Sequence, residues 1–226
     1  MRYTKTNATS LYILLFTLRP ILSAVTCHNY KLAKFLVPLL QPLTVSPNTI
    51  TDIFSFNKEL QDRIDSNTSM MVSCDIESLF TNVPVKETID IILNKLFSNT
   101  KIYEGFTRSD FQSLLELAVG DSFFSFNNNL YKQTDGLAMG SPLGPIFANI
   151  FLNHIEELWF QFLPFQPFLY KRYVDDTLWI LPENSDIPAL VTCLNSMHPN
   201  LKFTCETEKF QTIPFLGMQI NRNSDS

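Results

Sequence analysis

No two of the four cysteines, Cys27, Cys74, Cys193 and Cys205, stand at Cys-x-x-Cys spacing, and none is matched with a histidine in a pattern suited to zinc. A zinc site is thereby excluded as the organising feature. All four lie in apolar surroundings, so reduced core thiols and an intracellular setting, nucleus or cytoplasm, are expected. Long apolar runs are missing too. Arg2 and Lys5 followed by Leu11–Leu18 imitate a secretory leader, but the run is too short to span a membrane and Arg19-Pro20 interrupts it. It reads as a core segment, with secretion the lesser alternative and no membrane partner. No internal repeat is visible. Basic charge is scarce: 17 Lys and Arg face 22 Asp and Glu, a net charge of −5, where a nucleic-acid binder is expected to show a basic footprint. The deficit is uneven, since residues 1–60 carry six basic against two acidic side chains and the remainder eleven against twenty. Solvation of a polar surface explains the same counts, so charge decides little.

With 45% hydrophobic and 17% charged residues, the 226-residue chain is globular and suits one or two domains. Residues 26–41 suggest a helix closed by Pro38 and Pro42, and residues 51–64 an amphipathic one. Pro84 opens a helix to about Phe97, and Thr107 with Asp110 forms a capping-box start for another to about Val119. Residues 122–126 and 130–133 read as a hairpin around three asparagines, 127–129. An apolar helix spans Pro145 to Phe160, and a further helix covers about 186–197. Leu201–Glu206 and Phe215–Ile220 read as strands. Such mixed order points to an α+β fold rather than a regular βαβ sheet.

Within this frame, Tyr173-Val174-Asp175-Asp176 lies between two apolar, aromatic-rich runs, a β-hairpin with two aspartates at its turn. Adjacent carboxylates repel each other, and divalent cations make the arrangement favourable. Asp-Asp is also an ordinary turn dipeptide, so the pair alone decides nothing. A third aspartate, Asp75, ends the strand Met70–Cys74 and runs on into Leu79-Phe80. An aspartate ending one strand beside an Asp-Asp hairpin can hold two Mg²⁺ ions for in-line attack on a phosphate. The third element is the Gly/Pro-rich loop Tyr131–Pro145, containing Gly140-Ser141-Pro142-Leu143-Gly144-Pro145.

With these residues in order, the chain resembles the reverse transcriptases, specifically those of Penelope-like retroelements, from about Arg19 to about Ile220. The Asp75 strand resembles their first catalytic motif, the loop at 140–145 their template- and nucleotide-positioning loop, and Tyr-Val-Asp-Asp their third motif. The resemblance implies an RNA-directed DNA polymerase acting on an RNA template, a DNA primer and dNTPs. It implies an α+β polymerase palm, an antiparallel sheet with helices packed on one side, over residues 67–226. Residues 1–66 would form partial fingers and connecting helices.

Asp75 and Asp175 would bridge two Mg²⁺ ions, for which Mn²⁺ can substitute, and Asp176 would assist. Phe80 would lie under the incoming sugar and exclude a 2′-hydroxyl. Ile76, Met139 and Gly140 would contribute to the nucleotide site, Arg19 would grip the triphosphate, and Lys209 would protonate pyrophosphate. Met139 takes a place often filled by glutamine, as the Penelope-like pattern does. Gly144 replaces a common serine, and Gly217 stands where an acid is expected. Because the sequence stops soon after Phe215-Leu216-Gly217, a palm-centred fragment without thumb or endonuclease is expected, and a silent relic that keeps the palm fold or binds nucleic acid is the alternative.

Overall fold

The computed structural model describes residues 3–5, 10–11, 27–61, 69–120, 123–126, 128–133 and 136–222. Its elements begin β1 (Tyr3–Lys5), β2 (Ser10–Leu11), α1 (Tyr30–Leu40), α2 (Ile53–Gln61), β3 (Ser69–Ile76), α3 (Leu79–Asn82) and α4 (Val85–Phe97). They continue with β4 (Ile102–Tyr103), β5 (Phe106–Thr107), α5 (Arg108–Val119), β6 (Phe123–Phe126), β7 (Asn129–Gln133) and α6 (Gly144–Trp159). The last are β8 (Leu169–Tyr173), β9 (Asp176–Pro182), α7 (Ile187–Met197), β10 (Phe203–Thr207), β11 (Thr212–Phe215) and β12 (Met218–Asn221). The chain divides into two compact units, Met1–Val45 with Ser78–His154, and Ser46–Glu77 with Ile155–Ser226. The fold is α+β, as expected.

The first unit packs α1, α4 and α5 through Leu36, Ile89, Ile92, Phe111 and Leu115, all buried, beside a sheet ordered β2-β1-β7-β6. The α5 start has the expected capping box. Thr107 Oγ1 accepts from the Asp110 N–H at 3.3 Å, and Asp110 Oδ2 accepts from the Thr107 N–H at 3.2 Å. Asn29 Nδ2 donates to the carbonyls of Ala118 and Gly120, which the helix itself leaves without partners. The helix expected over residues 26–41 starts later, at Tyr30, and runs through Pro38 to Leu40. An interior proline costs about 3 kcal/mol. Leu36 and Leu40, each fully buried on either side of it, contribute about 1.5–3 kcal/mol apiece and carry the helix across.

The second unit is built on the antiparallel sheet β10-β3-β9-β8. Thr177 to Leu181 are all completely buried, which marks β9 as a strand covered on both faces. Leu178 and Ile180 point to a core shared with Phe56 and Leu60 of α2 and with Ile213 and Phe215 of β11. Trp179, with the opposite parity, meets Tyr170 and Trp159 at ring-centroid distances of 4.3 and 6.4 Å. α7 starts on Asp186, whose carboxylate accepts from the Ala189 N–H at 2.9 Å, and Asn195 on that helix pairs with both backbone groups of Phe203.

Two further expectations are corrected. The single strand at 215–220 is a hairpin, β11 and β12, turning at Leu216 and Gly217 with φ of 49° and 75°. Two central residues with positive φ are the requirement of a type I′ turn, which explains glycine at 217 where an acid was expected. Cys74 and Cys205 are not reduced thiols: they are directly paired across β3 and β10, their Cα atoms 4.0 Å apart, and form a disulfide. They are 131 residues apart in the chain, and only the register of β10 on β3 brings them together. With this pair oxidised, the cysteines do not point to an intracellular setting. Among the described residues no helix is long and apolar enough to cross a membrane.

Cys27 and Cys193 remain thiols. Titration of the denatured, unreduced protein with a thiol reagent is therefore expected to count two groups, and four after reduction. Four from the outset would contradict the Cys74–Cys205 bond.

Candidate active site

β3 and β9 pair in antiparallel register from Ser69↔Pro182 to Asp75↔Asp176, so the last ladder pair sets one carboxylate opposite another. Asp175 belongs to the two-residue turn between β8 and β9, whose closing pair is Tyr173↔Asp176. The Ile76 N–H donates to the Asp175 carbonyl at 3.0 Å, which fastens the turn to the end of β3. The second unit thus brings together all three aspartates. Asp75 is exposed, and Asp175 and Asp176 are half-buried. Burial, followed by the charges of Asp175 and Asp75, raises the Asp176 carboxyl above the ordinary carboxylate range. That mutual repulsion, on a set of hard oxygen donors, fits a divalent cation. Among the described residues, however, no group of three His, Cys, Asp or Glu side chains already converges as a metal cage.

The same register sorts the two lysines of the β10 region. Thr204 lies opposite Asp75, and Glu77 donates its N–H to the Lys202 carbonyl at 2.8 Å, one step further along. Lys202 therefore continues the row on the Asp75 face, and its Nζ lies 2.9 Å from both Glu77 oxygens. Lys209 is exposed at the other end of β10, where Glu208 bonds to Met71. Five residues separate Lys209 from Thr204, about 17 Å at ~3.3 Å per strand residue. The structure does not bring Lys209 to the aspartates. Lys202 was missed because strand register is not written in composition. Its even spacing from Thr204 is the signal that the register makes legible.

Ile76 is fully buried, and with its N–H engaged by Asp175 it anchors the hairpin. Phe80, Met139 and Gly140 belong to the first unit, where the glycine-rich loop docks on α3. The Leu137 N–H donates to the Phe80 carbonyl at 2.7 Å. Gly136, at φ 72°, comes so close to α3 that a Cβ there would lie 2.4 Å from the Thr81 carbonyl oxygen. Further along, Gly140 has φ 106°, a backbone state that suits glycine, and Met139 is half-buried. A Cβ on Gly144 would meet the Phe80 ring at 3.7 Å, an ordinary contact. Space therefore does not demand glycine at 144, but does at 136. Arg19 lies outside the described residues.

The model of the family described as "Reverse transcriptase (RNA-dependent DNA polymerase)" matches residues 10–220. Among solved structures, telomerase from Candida albicans in complex with the TWJ fragment of telomeric RNA superposes with a TM-score of 0.65 at 15% identity. The match covers 85% of this chain and 37% of that one. Apo telomerase from Candida tropicalis truncated from the C-terminal domain gives 0.64 at 16%, covering 84% and 43%. The BmCPV RNA-dependent RNA polymerase at its elongation state gives 0.51 at 14%, covering 85% and 19%. At these identities the likeness is one of fold, and the chain spans less than half the length of either telomerase chain. No curated protein matches the sequence.

The two loop glycines should respond oppositely to substitution. Gly136→Ala combines a left-handed φ with a backbone clash and is expected to lower the free energy of unfolding by about 2 kcal/mol or more, measured by urea denaturation. Gly144→Ala opens α6 without a clash and is expected to be neutral or to stabilise by up to about 1 kcal/mol.

Proposed function

The chain belongs to the reverse transcriptase (RNA-dependent DNA polymerase) family, and we propose that it is the polymerase domain of a Penelope-like retroelement, copying RNA into DNA by two-metal nucleotidyl transfer. The observation that carries this reading is the ladder pair Asp75↔Asp176 with Asp175 at the adjoining turn. The lineage is supported by Met139 and the Gly140–Pro145 loop preceding Tyr-Val-Asp-Asp. On this reading residues 67–226 act as the palm and residues 1–66 as partial fingers.

Asp75 and Asp175 would hold two Mg²⁺ or Mn²⁺ ions between them, with Asp176 assisting. Such ions, when bound, acidify the primer 3′-hydroxyl and neutralise the triphosphate. The remaining work belongs to the chain's own groups. Phe80 would face the sugar of the incoming dNTP and exclude a 2′-hydroxyl. Ile76 would fix the end of β3 beside the nucleotide. Met139 and Gly140 would let the loop approach base and sugar closely, and Arg19 would grip the triphosphate in a bidentate manner. For the proton delivered to pyrophosphate, Lys202 is better supported than Lys209, because it shares a row with Asp75. The proposed partners are an RNA template and a DNA primer.

Primer extension on an RNA template with Mg²⁺ and dNTPs tests this reading. The parent protein is expected to extend the primer, and Asp175→Asn to lose about two orders of magnitude or more in rate. Folded parent protein that extends nothing would favour the silent relic. Replacement of Phe80 by alanine is expected to admit ribonucleotides. Unchanged discrimination would remove Phe80 from sugar selection.

A further inference from the structure

Arg172 is completely buried, three residues before Asp175 in a strand whose neighbours are Tyr170, Trp179 and Trp159. Its guanidinium forms an ion pair through Nε with Oε1 of Glu156, itself only 1% exposed. The Tyr170 hydroxyl donates to the same Oε1 at 2.7 Å. Among the described residues Glu156 Oε2 has no hydrogen-bond partner, so the carboxylate depends on this one convergence. Taking both charges out of water is costly, and well-packed apolar residues of similar size would fill the space at least as well. Packing alone therefore does not explain an arginine here.

The second arm of the guanidinium does. Nη1 of Arg172 donates to the carbonyl of Val174 at 3.3 Å. Val174 has φ 55°, a region that β-branched residues rarely adopt, while Asp175 keeps a negative φ. That pattern belongs to a type II′ turn, which prefers glycine at the first central position. Relaxing Val174 would carry its carbonyl away from the guanidinium and turn the next peptide, and the Asp175 side chain with it. The backbone of Arg172 is fixed independently: its N–H donates to Asn48 and its carbonyl accepts from Ile50, both at 2.8 Å. The strand beyond the turn has its own brace, Trp179 Nε1 to Thr177 Oγ1 at 2.9 Å and Thr177 Oγ1 to the Cys74 carbonyl at 3.0 Å. What lies between the two braces is the strained Val174–Asp175 turn.

We propose that Arg172, held by Glu156 and Tyr170, is a positioning residue that clamps the Val174 carbonyl and so keeps the Asp175 and Asp176 carboxylates in their working arrangement. The clamp rests on the reading of these aspartates as the divalent-cation site, but its effect on the turn can be measured without any cation. Two folded variants separate positioning from stability. Arg172→Lys keeps a cation beside Glu156 but loses the planar fork that reaches Val174. The triple change Glu156→Leu, Tyr170→Phe and Arg172→Met removes the whole buried polar group, which leaves no orphaned charge.

The readouts are amide hydrogen exchange over residues 173–177 and a Mn²⁺ titration followed by electron paramagnetic resonance, with Asp175→Asn as the control. Both variants are expected to melt cooperatively, to exchange these amides at least tenfold faster, and to bind Mn²⁺ at least tenfold more weakly than the parent. A folded variant with parental exchange and parental affinity would overturn the clamp. Failure of both variants to fold would assign the trio to stability alone and overturn it equally. If the parent binds no more Mn²⁺ than Asp175→Asn, the metal reading falls. Exchange then decides: unchanged rates reject the clamp, and faster rates confined to the turn uphold it.

Discussion

Everything in the candidate site depends on the register of β3 against β9. Because side chains alternate across a sheet, a slip of one residue would turn Asp75 to the opposite face and bring buried Cys74 or Ile76 to its place. The slip is opposed by the apolar run it would displace. Met71 and Leu178 belong to one core, while Val72 and Trp179 are a directly opposed, fully buried pair on the other face. Burial of side chains of this size contributes about 1.5–3 kcal/mol each, so the hydrophobic pattern fixes the register far more firmly than any contact between the acids. Three mutually repelling carboxylates can therefore be held together by residues that never touch a substrate.

The site is built against two electrostatic costs. One is the crowding of Asp75, Asp175 and Asp176, which adds to the effect of burial in raising the proton affinity of Asp176. The other is the burial of Glu156 and Arg172 beneath the hairpin. Both lie within a few residues of a turn held in an unfavourable backbone state at Val174. Strain and buried charge coincide at this hairpin, which is the arrangement expected if it presents several acids to a cation. The disulfide between Cys74 and Cys205 ties β10 to β3 at the residue next to Asp75 and adds a covalent restraint to the same strand end.

Much of this was legible in the residues. The capping box at Thr107 and Asp110, the proline before α4 and the paired apolar runs around Tyr-Val-Asp-Asp depend on local chemistry, and local chemistry is what a sequence displays. What escaped was non-local. The Cys74–Cys205 bond and the placement of Lys202 opposite Glu77, on the Asp75 face, both depend on how β10 registers on β3, with more than a hundred residues of chain between them. Pro38 is carried inside α1 because tertiary burial of Leu36 and Leu40 outweighs its local penalty. Gly217 had been compared with an acid in a strand, but it serves a turn that divides the strand in two. Arg172 is visible only as one of two adjacent basic residues in an apolar segment, and nothing in the sequence identifies Glu156, 16 positions earlier, as its partner.

The central claim is that Asp75, Asp175 and Asp176 form one divalent-cation site. Crystals of the protein grown with Mn²⁺ and measured for anomalous scattering near the manganese edge would test it most directly. The account predicts manganese within about 2.2 Å of carboxylate oxygens of Asp75 and of the Asp175-Asp176 pair. Well-ordered aspartates without manganese, or manganese held only at other side chains, would contradict it.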